Sequence, residues 1–282
     1  MNFHRKPITF VDHVNIKVQN LERSLMFYQN VIGFKIFDQT ENQANLTTDG
    51  KTVLLTIQQP KDVIPKKQRT TGLYHFALLL PQRVDLANIV RHFAKIGVQF
   101  GSSDHLVSEA LYLADPDGNE IEIYIDRDPS EWNWKNGEVA MTVDPINFEE
   151  LLSVGNQEGW NGLPKDTFMG HIHLHVSELK KTEEFYTEGL ELEVVNRFGS
   201  QALFISDGKY HHHIGFNTWN GVGAPAPSSN SVGLSSFTLK LSNEEKRNKI
   251  IAQLNNIGAF VHEENGSYMT LDPSGNRIIL KV

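Results

Sequence analysis

The sequence predicts an α+β protein built from four βαβββ units that form two tandem half-barrel domains. Three observations carry this. Four segments read alike: DHVNIKVQNLERSLMFYQNVIGFKI (12–36), YHFALLLPQRVDLANIVRHFAKIGVQF (74–100), GHIHLHVSELKKTEEFYTEGLELEVV (170–195) and SSFTLKLSNEEKRNKIIAQLNNIGAFV (235–261). Such self-similarity marks a repeated supersecondary unit. Two matching endings, DPDGNEIEIY (115–124) and DPSGNRIIL (272–280), close the second and fourth units. The spacing also matches: His13 to Glu122 spans 109 residues and His171 to Ile279 spans 108.

Each unit opens on a short alternating or apolar run, which reads as a strand. In DHVNIKV, His13, Asn15 and Lys17 share one face, and Val14, Ile16 and Val18 take the other. A polar break follows, with Asn20 and Ser177 placed as helix N-caps. Leu21, Leu25, Tyr28 and Ile32 then fall at offsets 0, 4, 7 and 11, one face of a helix. A Gly or short polar break ends the helix, and further strands complete the unit. In NEIEIYI, Glu120, Glu122 and Tyr124 oppose Ile121, Ile123 and Ile125. The apolar faces are expected to meet the helices, leaving His13 and Glu122 to line a concavity.

Pairing the units in chain order gives a first domain over 8–127, a connector over 128–167 and a second domain over 168–282. The connector carries Trp132, Trp134 and Trp160 and a short helix near 147–153. Exposed tryptophan is costly, so this segment is expected to pack over both domains. NTWNGVGAPAPSSNS (217–231) reads either as a lid or as a surface loop.

Composition narrows the function. The net charge of −8 is spread along the chain without a basic block, which argues against nucleic acid as a partner. No apolar run is long enough to span a membrane. MNFHRKPITFVDHV lacks the apolar core of a secretory signal, so a cytoplasmic location is expected. With no cysteine, disulfides, thiolate metal sites and cysteine nucleophiles are excluded. A metal must be held by His, Asp or Glu.

The chain has 12 histidines, three of them consecutive in YHHHIGF. His211 and His213 share one strand face there, and His212 takes the other. GHIHLHV likewise sets His171, His173 and His175 on one face. The run has three readings: a proton relay beside a metal, a nonstandard metal site formed with His171 or His173, or a structural cluster under the Trp219 loop. His105, Tyr112 and Tyr124 are further candidates for facing the first-domain cavity, against the plainer readings of loop and core residues.

The paired units, the His on the opening strand and DPDGNEIE at the closing strand resemble the vicinal oxygen chelate superfamily. That family includes glyoxalase I, fosfomycin-resistance proteins and extradiol ring-cleaving dioxygenases. TGLYHFALLLP (71–81), DHLVSEALYLADPDGNEIEIYIDR (104–127) and KYHHHIGFNTWNGVGAP (209–225) are similar to its two-domain catechol-2,3-dioxygenase-like bacterial group. The resemblance implies a metal on His13, His75 and Glu122, with Fe(II) first and Mn, Zn or Ni as alternatives. An alternative site is His171, His211 and His213. In the second domain Ser236 stands where His75 does, and Ile279 where Glu122 does, so the usual triad is broken there.

The function implied is an extradiol dioxygenase acting on a catechol-like aromatic and O₂, with His212, His213 and Tyr124 as catalytic groups. The alternatives are a glyoxalase-type metal-dependent isomerase or lyase and a non-catalytic small-molecule binding protein. A glyoxalase I would need a fourth ligand, expected in KTVLLTI (51–57), which has no Glu, Gln or His. Members often pair, so a homo-oligomer is compatible with the resemblance.

Overall fold

The computed structural model describes residues 2–156, 159–264 and 266–282; residues 157 and 158 of the expected connector lie outside it. The first unit runs β1 (Phe10–Lys17), α1 (Leu21–Phe27), β2 (Lys35–Gln39), β3 (Gln43–Thr47) and β4 (Val53–Gln58). The second runs β5 (Gly72–Leu79), α2 (Arg83–Ile96), β6 (Gly101–Asp104), β7 (Ser108–Ala114) and β8 (Glu120–Asp126). The connector adds β9 (Trp134–Lys135), β10 (Glu138–Val139) and α3 (Phe148–Ser153). The third unit holds β11 (Phe168–His175), α4 (Leu179–Glu184), β12 (Glu193–Phe198), β13 (Ala202–Ser206) and β14 (Ile214–Asn217). The fourth holds β15 (Gly233–Lys240), α5 (Glu244–Asn256), β16 (Val261–Glu264), β17 (Ser267–Leu271) and β18 (Arg277–Lys281).

The α+β class and the four units are as expected. In each unit the last strand returns to lie parallel to the first, because the helix crossover reverses the chain once and the antiparallel strands bring it back. Asn20 caps α1 by accepting from the Arg23 N–H at 2.9 Å. Ser177 does not cap: α4 starts one residue later, after Glu178, and the Ser177 N–H donates to Ser274 Oγ at 2.9 Å. Leu21, Leu25, Tyr28 and Ile32 are all buried, as their spacing predicts, with the last turn widened to a π-helix over Tyr28–Ile32.

The units pair across the chain. One eight-stranded sheet has the order β16-β17-β18-β15-β1-β4-β3-β2, and the other β12-β13-β14-β11-β5-β8-β7-β6. The first unit thus joins the fourth through β1 and β15, and the second joins the third through β5 and β11. This departs from self-contained domains over 8–127 and 168–282. Every opening strand has one free edge and the same apolar alternation, so local pattern does not choose its partner. One apolar core, with residues such as Val14, Phe76, Ile172 and Phe237, runs through both sheets.

The two DPxGN endings are turns. The Asp115 carboxylate accepts from the Asp117 and Asn119 N–H groups at 2.8 and 2.9 Å, and Asp272 accepts from those of Ser274 and Asn276. The Tyr28 hydroxyl donates to Asp115 at 3.0 Å, and the Tyr186 hydroxyl donates to Asp272 at 3.1 Å. These bonds tie the first unit to the second and the third to the fourth. The connector packs as expected where described: Trp132 is buried against Phe3, Val107, Val139 and Tyr210.

Candidate metal centre

The seam between β11, β5 and β8 carries the site. Across it, Ala77 on β5 pairs with Glu122 on β8 and with His171 on β11, and His75 pairs with His173. Residues two apart on a strand share a face, so His75, Glu122, His171 and His173 all project to one side. The small Ala77 side chain between Glu122 and His171 leaves room for the carboxylate and imidazole to converge. A bulge at Gly170 sets this register. A Cβ on Gly170 would lie 2.1 Å from the Tyr124 hydroxyl, so only glycine fits there.

His75 Nε2 lies 3.0 Å from Glu122 Oε2, and His171 Nε2 lies 3.1 Å from the same oxygen. These three residues form the candidate ligand group among the described residues, and all three are buried. His75 has no hydrogen-bond partner for either ring nitrogen, despite the short approach to Glu122. Both imidazole Nε2 atoms thus converge on one carboxylate oxygen, His171 through a hydrogen bond to it. Donors at ~2.1 Å from an ion and at right angles are ~3.0 Å apart, the spacing of one face of an octahedron. The residues fit a divalent metal. Burial alone pushes the Glu122 carboxyl up, but the His171 and His75 imidazoles outweigh it and hold it well below the usual carboxylate range.

The expected ligand set is only partly assembled. His75 and Glu122 meet, but His13 lies in the other sheet and His171 takes its place. His13 Nε2 is 2.8 Å from Thr56 Oγ1, whose hydroxyl donates to Asn45. Thr56 occupies the place of Glu122 in that sheet, since it pairs with Asn15 as Glu122 pairs with Ala77. A histidine facing a threonine, with no carboxylate, is a poor divalent-metal site. The alternative trio does not gather either. His211 donates to Asp126 at 2.7 Å, and His213 accepts from the Asp207 N–H and donates to the Phe3 carbonyl.

The fourth-ligand position also moves. With the second and third units paired, the counterpart of Glu122 is Gly215 on β14, not a residue of 51–57. The His173 ring lies over Gly215, where a Cβ would be 2.9 Å from it. Two imidazoles and one carboxylate are left, with the remaining face open.

That face looks into a cavity of about 370 Å³. His75, Glu122, Tyr74, Tyr112, His105 and His212 are its polar lining around the ligands. The His105 Nδ1–H donates to the Thr142 carbonyl at 2.6 Å, which leaves Nε2 to accept from the Tyr112 hydroxyl, also at 2.6 Å. Tyr112 then keeps its oxygen lone pairs for the cavity. Its hydroxyl is held protonated by burial and by the Glu122 charge, which push its pKa well above the ordinary value.

The His212 ring packs at a tilt of 49° against that of His171, with centroids 4.1 Å apart. The His211 Nε2–H donates to Asp126, so its Nδ1 accepts from the His212 Nδ1–H at 2.8 Å. This leaves His212 Nε2 unprotonated and free for the cavity, and burial beside His171 and His211 pushes its pKa well below 6.5. His213 and Tyr124, by contrast, are fully buried away from the cavity. The Tyr124 and Tyr210 hydroxyls are 2.7 Å apart, and Tyr210 donates to Asp126, so Tyr124 is spent on a network behind His171.

Residues 10–123 match the model of the glyoxalase/bleomycin resistance protein/dioxygenase superfamily. Catechol-2,3-dioxygenase of Bacillus subtilis (strain 168) is 43% identical over 268 residues, covering 94% of each chain. The chain belongs to the glyoxalase/bleomycin resistance protein/dioxygenase superfamily. Among solved structures, a dioxygenase described as such from Bacillus subtilis superposes with a TM-score of 0.64 at 16% identity, covering 98% of this chain and 86% of that one. Glyoxalase I of Zea mays superposes at 0.58 with 13% identity, covering 96% and 92%. At these identities the superpositions establish the superfamily fold alone. No helix among the described residues is long and apolar enough to cross a membrane.

Two histidines outside the centre, His4 buried and His13 half-buried, shape this protein's response to acid. His4 donates to the Gly170 carbonyl at 2.7 Å, and burial lowers its pKa to about 4. Burial, then Lys281, lowers that of His13 to about 4. Their ordinary value is 6.5, so between pH 6.5 and 4 the unfolded chain binds protons that the fold refuses. Stability is therefore expected to fall as the pH drops through that window, by about 3 kcal/mol for each group across it. Urea unfolding with chelator present at pH 7.5, 6 and 5 checks this. An unchanged midpoint would contradict it.

Proposed function

We propose that this protein is a ring-cleaving extradiol dioxygenase that holds Fe(II) on His75, Glu122 and His171 and acts on a catechol-like aromatic with O₂. The observation that carries the reading is the group of two histidines and one carboxylate at the cavity floor, with Gly215 where a fourth donor would stand. Such a set leaves adjacent positions for two substrate oxygens and dioxygen. A glyoxalase-type centre with a fourth carboxylate has no counterpart at that position. The high identity to the Bacillus subtilis catechol-2,3-dioxygenase supports the same reading.

Bound there, Fe(II) supplies Lewis acidity to the two catechol oxygens and a site for dioxygen. The chain does the rest. His212 Nε2 takes the proton from one substrate hydroxyl and later returns it. Asp126, through His211, holds the His212 ring in the tautomer that makes this Nε2 basic. The Tyr112 oxygen accepts from the second hydroxyl and fixes the ring's orientation. The packed walls keep water from the reacting atoms. The ring opens at the carbon–carbon bond beside the diol, and both atoms of dioxygen enter the product, so no external reductant is consumed.

The test is oxygen uptake by untagged protein reconstituted anaerobically with Fe(II) and then mixed with catechol. Stoichiometric uptake with a yellow ring-opened product is expected. Turnover of catechol that consumes no oxygen, or no turnover by iron-loaded protein, would overturn the reading.

A further inference from the structure

Beside the polar groups at the metal ligands, the cavity has an apolar wall of Val107, Met141, Val143, Phe198, Phe204 and Trp219. Three of these stand at the mouth and remain open to water: Val143 is 65% exposed, and Phe198 and Trp219 are each 47% exposed. Large apolar groups gathered at a cavity mouth are unfavourable in water and favourable under an apolar ligand. A bare catechol fills well under half of the cavity and leaves this wall uncovered.

The same lining contains no lysine or arginine, and its one charged side chain is Glu122. Arginines that adjoin the lining segments are already engaged: Arg127 pairs with Asp104 at 2.6 Å, Arg83 with Glu109 at 2.6 Å and Arg197 with Glu183 at 2.6 Å. An anionic substituent lying against the apolar wall would lose its hydration and gain no cation.

We propose that the cavity selects catechols bearing an apolar ring substituent, a short alkyl chain or a second ring, over catechols bearing a carboxylate. This rests on the reading of the site as a ring-cleaving dioxygenase, and deepens it by naming the substrate class. The diol faces His75, Glu122 and Tyr112, and the substituent lies against Phe204, Met141 and Trp219. Phe204 and Trp219 come from the third unit and Met141 from the connector, so selectivity is written on segments other than the ones that supply His75 and Glu122.

The experiment measures two quantities on the iron-reconstituted protein. One is kcat/KM by oxygen uptake with catechol, 4-propylcatechol, 2,3-dihydroxybiphenyl and 3,4-dihydroxybenzoate. The other is anaerobic binding of the same four, read by tryptophan fluorescence, with Trp219→Phe identifying the signal from the cavity. The propyl and phenyl compounds are expected to exceed catechol by about tenfold in both quantities. The carboxylate is expected to fall below catechol by at least ~100-fold. Val143→Lys, at a position open enough to accept the longer side chain, is expected to narrow the gap between carboxylate and propyl compounds by about tenfold. Equal handling of all four, or preference for the carboxylate, would overturn the selectivity while leaving the dioxygenase reading standing. Absence of oxygen uptake with every compound would remove the dioxygenase reading. The binding order would then still decide the selectivity: carboxylate equal to or tighter than propyl refutes it.

Discussion

Glu122→Gln is expected to release the metal and to cut oxygen uptake by more than ~100-fold, since even outer partners of metal ligands cost 10–100-fold. His171→Gln is expected to do the same, and this is the more telling variant. It lies on β11, beyond the connector from the other two ligands. His13→Gln, in the opposite sheet, is expected to leave metal content unchanged. Metal per chain by plasma mass spectrometry, on untagged protein, reads all three. Metal retained in His171→Gln and lost in His13→Gln would refute the composite centre. Circular dichroism distinguishes loss of metal from loss of fold, because Gln nearly preserves the volume of Glu122 and keeps a polar group toward His75.

His212→Gln is expected to lower kcat by about 10²–10³-fold while iron content stays near that of the unaltered protein. Glutamine can hydrogen-bond to His211 but cannot take up a proton. His213→Gln separates the neighbours. It removes the bonds to Phe3 and Asp207, so it is expected to lower stability by about 1–3 kcal/mol and to change kcat little. A large fall in kcat for His213→Gln with none for His212→Gln would reverse the assignment. Steady-state oxygen uptake and urea unfolding on the same preparations supply both readouts.

Much of this was legible in the sequence, because the relevant signals are local. Alternation in DHVNIKV and NEIEIYI set the strand faces, and the spacing of Leu21, Leu25, Tyr28 and Ile32 set a helix face. The DPxGN runs marked turns leading into closing strands. The resemblance to the superfamily supplied His75 and Glu122, and strand parity agreed with it for Glu122. The third ligand was not fixed by those signals. His13 and His171 occupy equivalent strand positions, and only the choice of partner for β5 decides between them. That choice is made by the packing of strand edges far apart in the chain, and all four opening strands carry the same pattern.

Nor does the closing strand decide it, since the first and third units each have the opening histidine and lack a closing carboxylate, with Thr56 and Gly215 at that position. Met141 and Val143 had no signal, since a connector residue gains its role only from where the chain crosses the cavity. The orientation of His213 was also hidden. Alternation places residues on faces only within a regular strand, and His211 to His213 precede the start of β14.

The hydrogen bonds from Tyr28 to Asp115 and from Tyr186 to Asp272 gain meaning beside the strand order. Sheet pairing joins the first unit to the fourth and the second to the third, while the tyrosine–aspartate bonds join the first to the second and the third to the fourth. The four units therefore close into a ring, and each is held by two neighbours. In such a ring the polypeptide's start and finish fall in one sheet, with β1 and β18 both flanking β15, and the connector is one arc among equals. Its covalent continuity lowers the entropic cost of bringing β11 to β5, but the closed ring is a property of the contacts. A circularly permuted chain, opened in the connector and joined at the old ends, would meet the same neighbours at every unit.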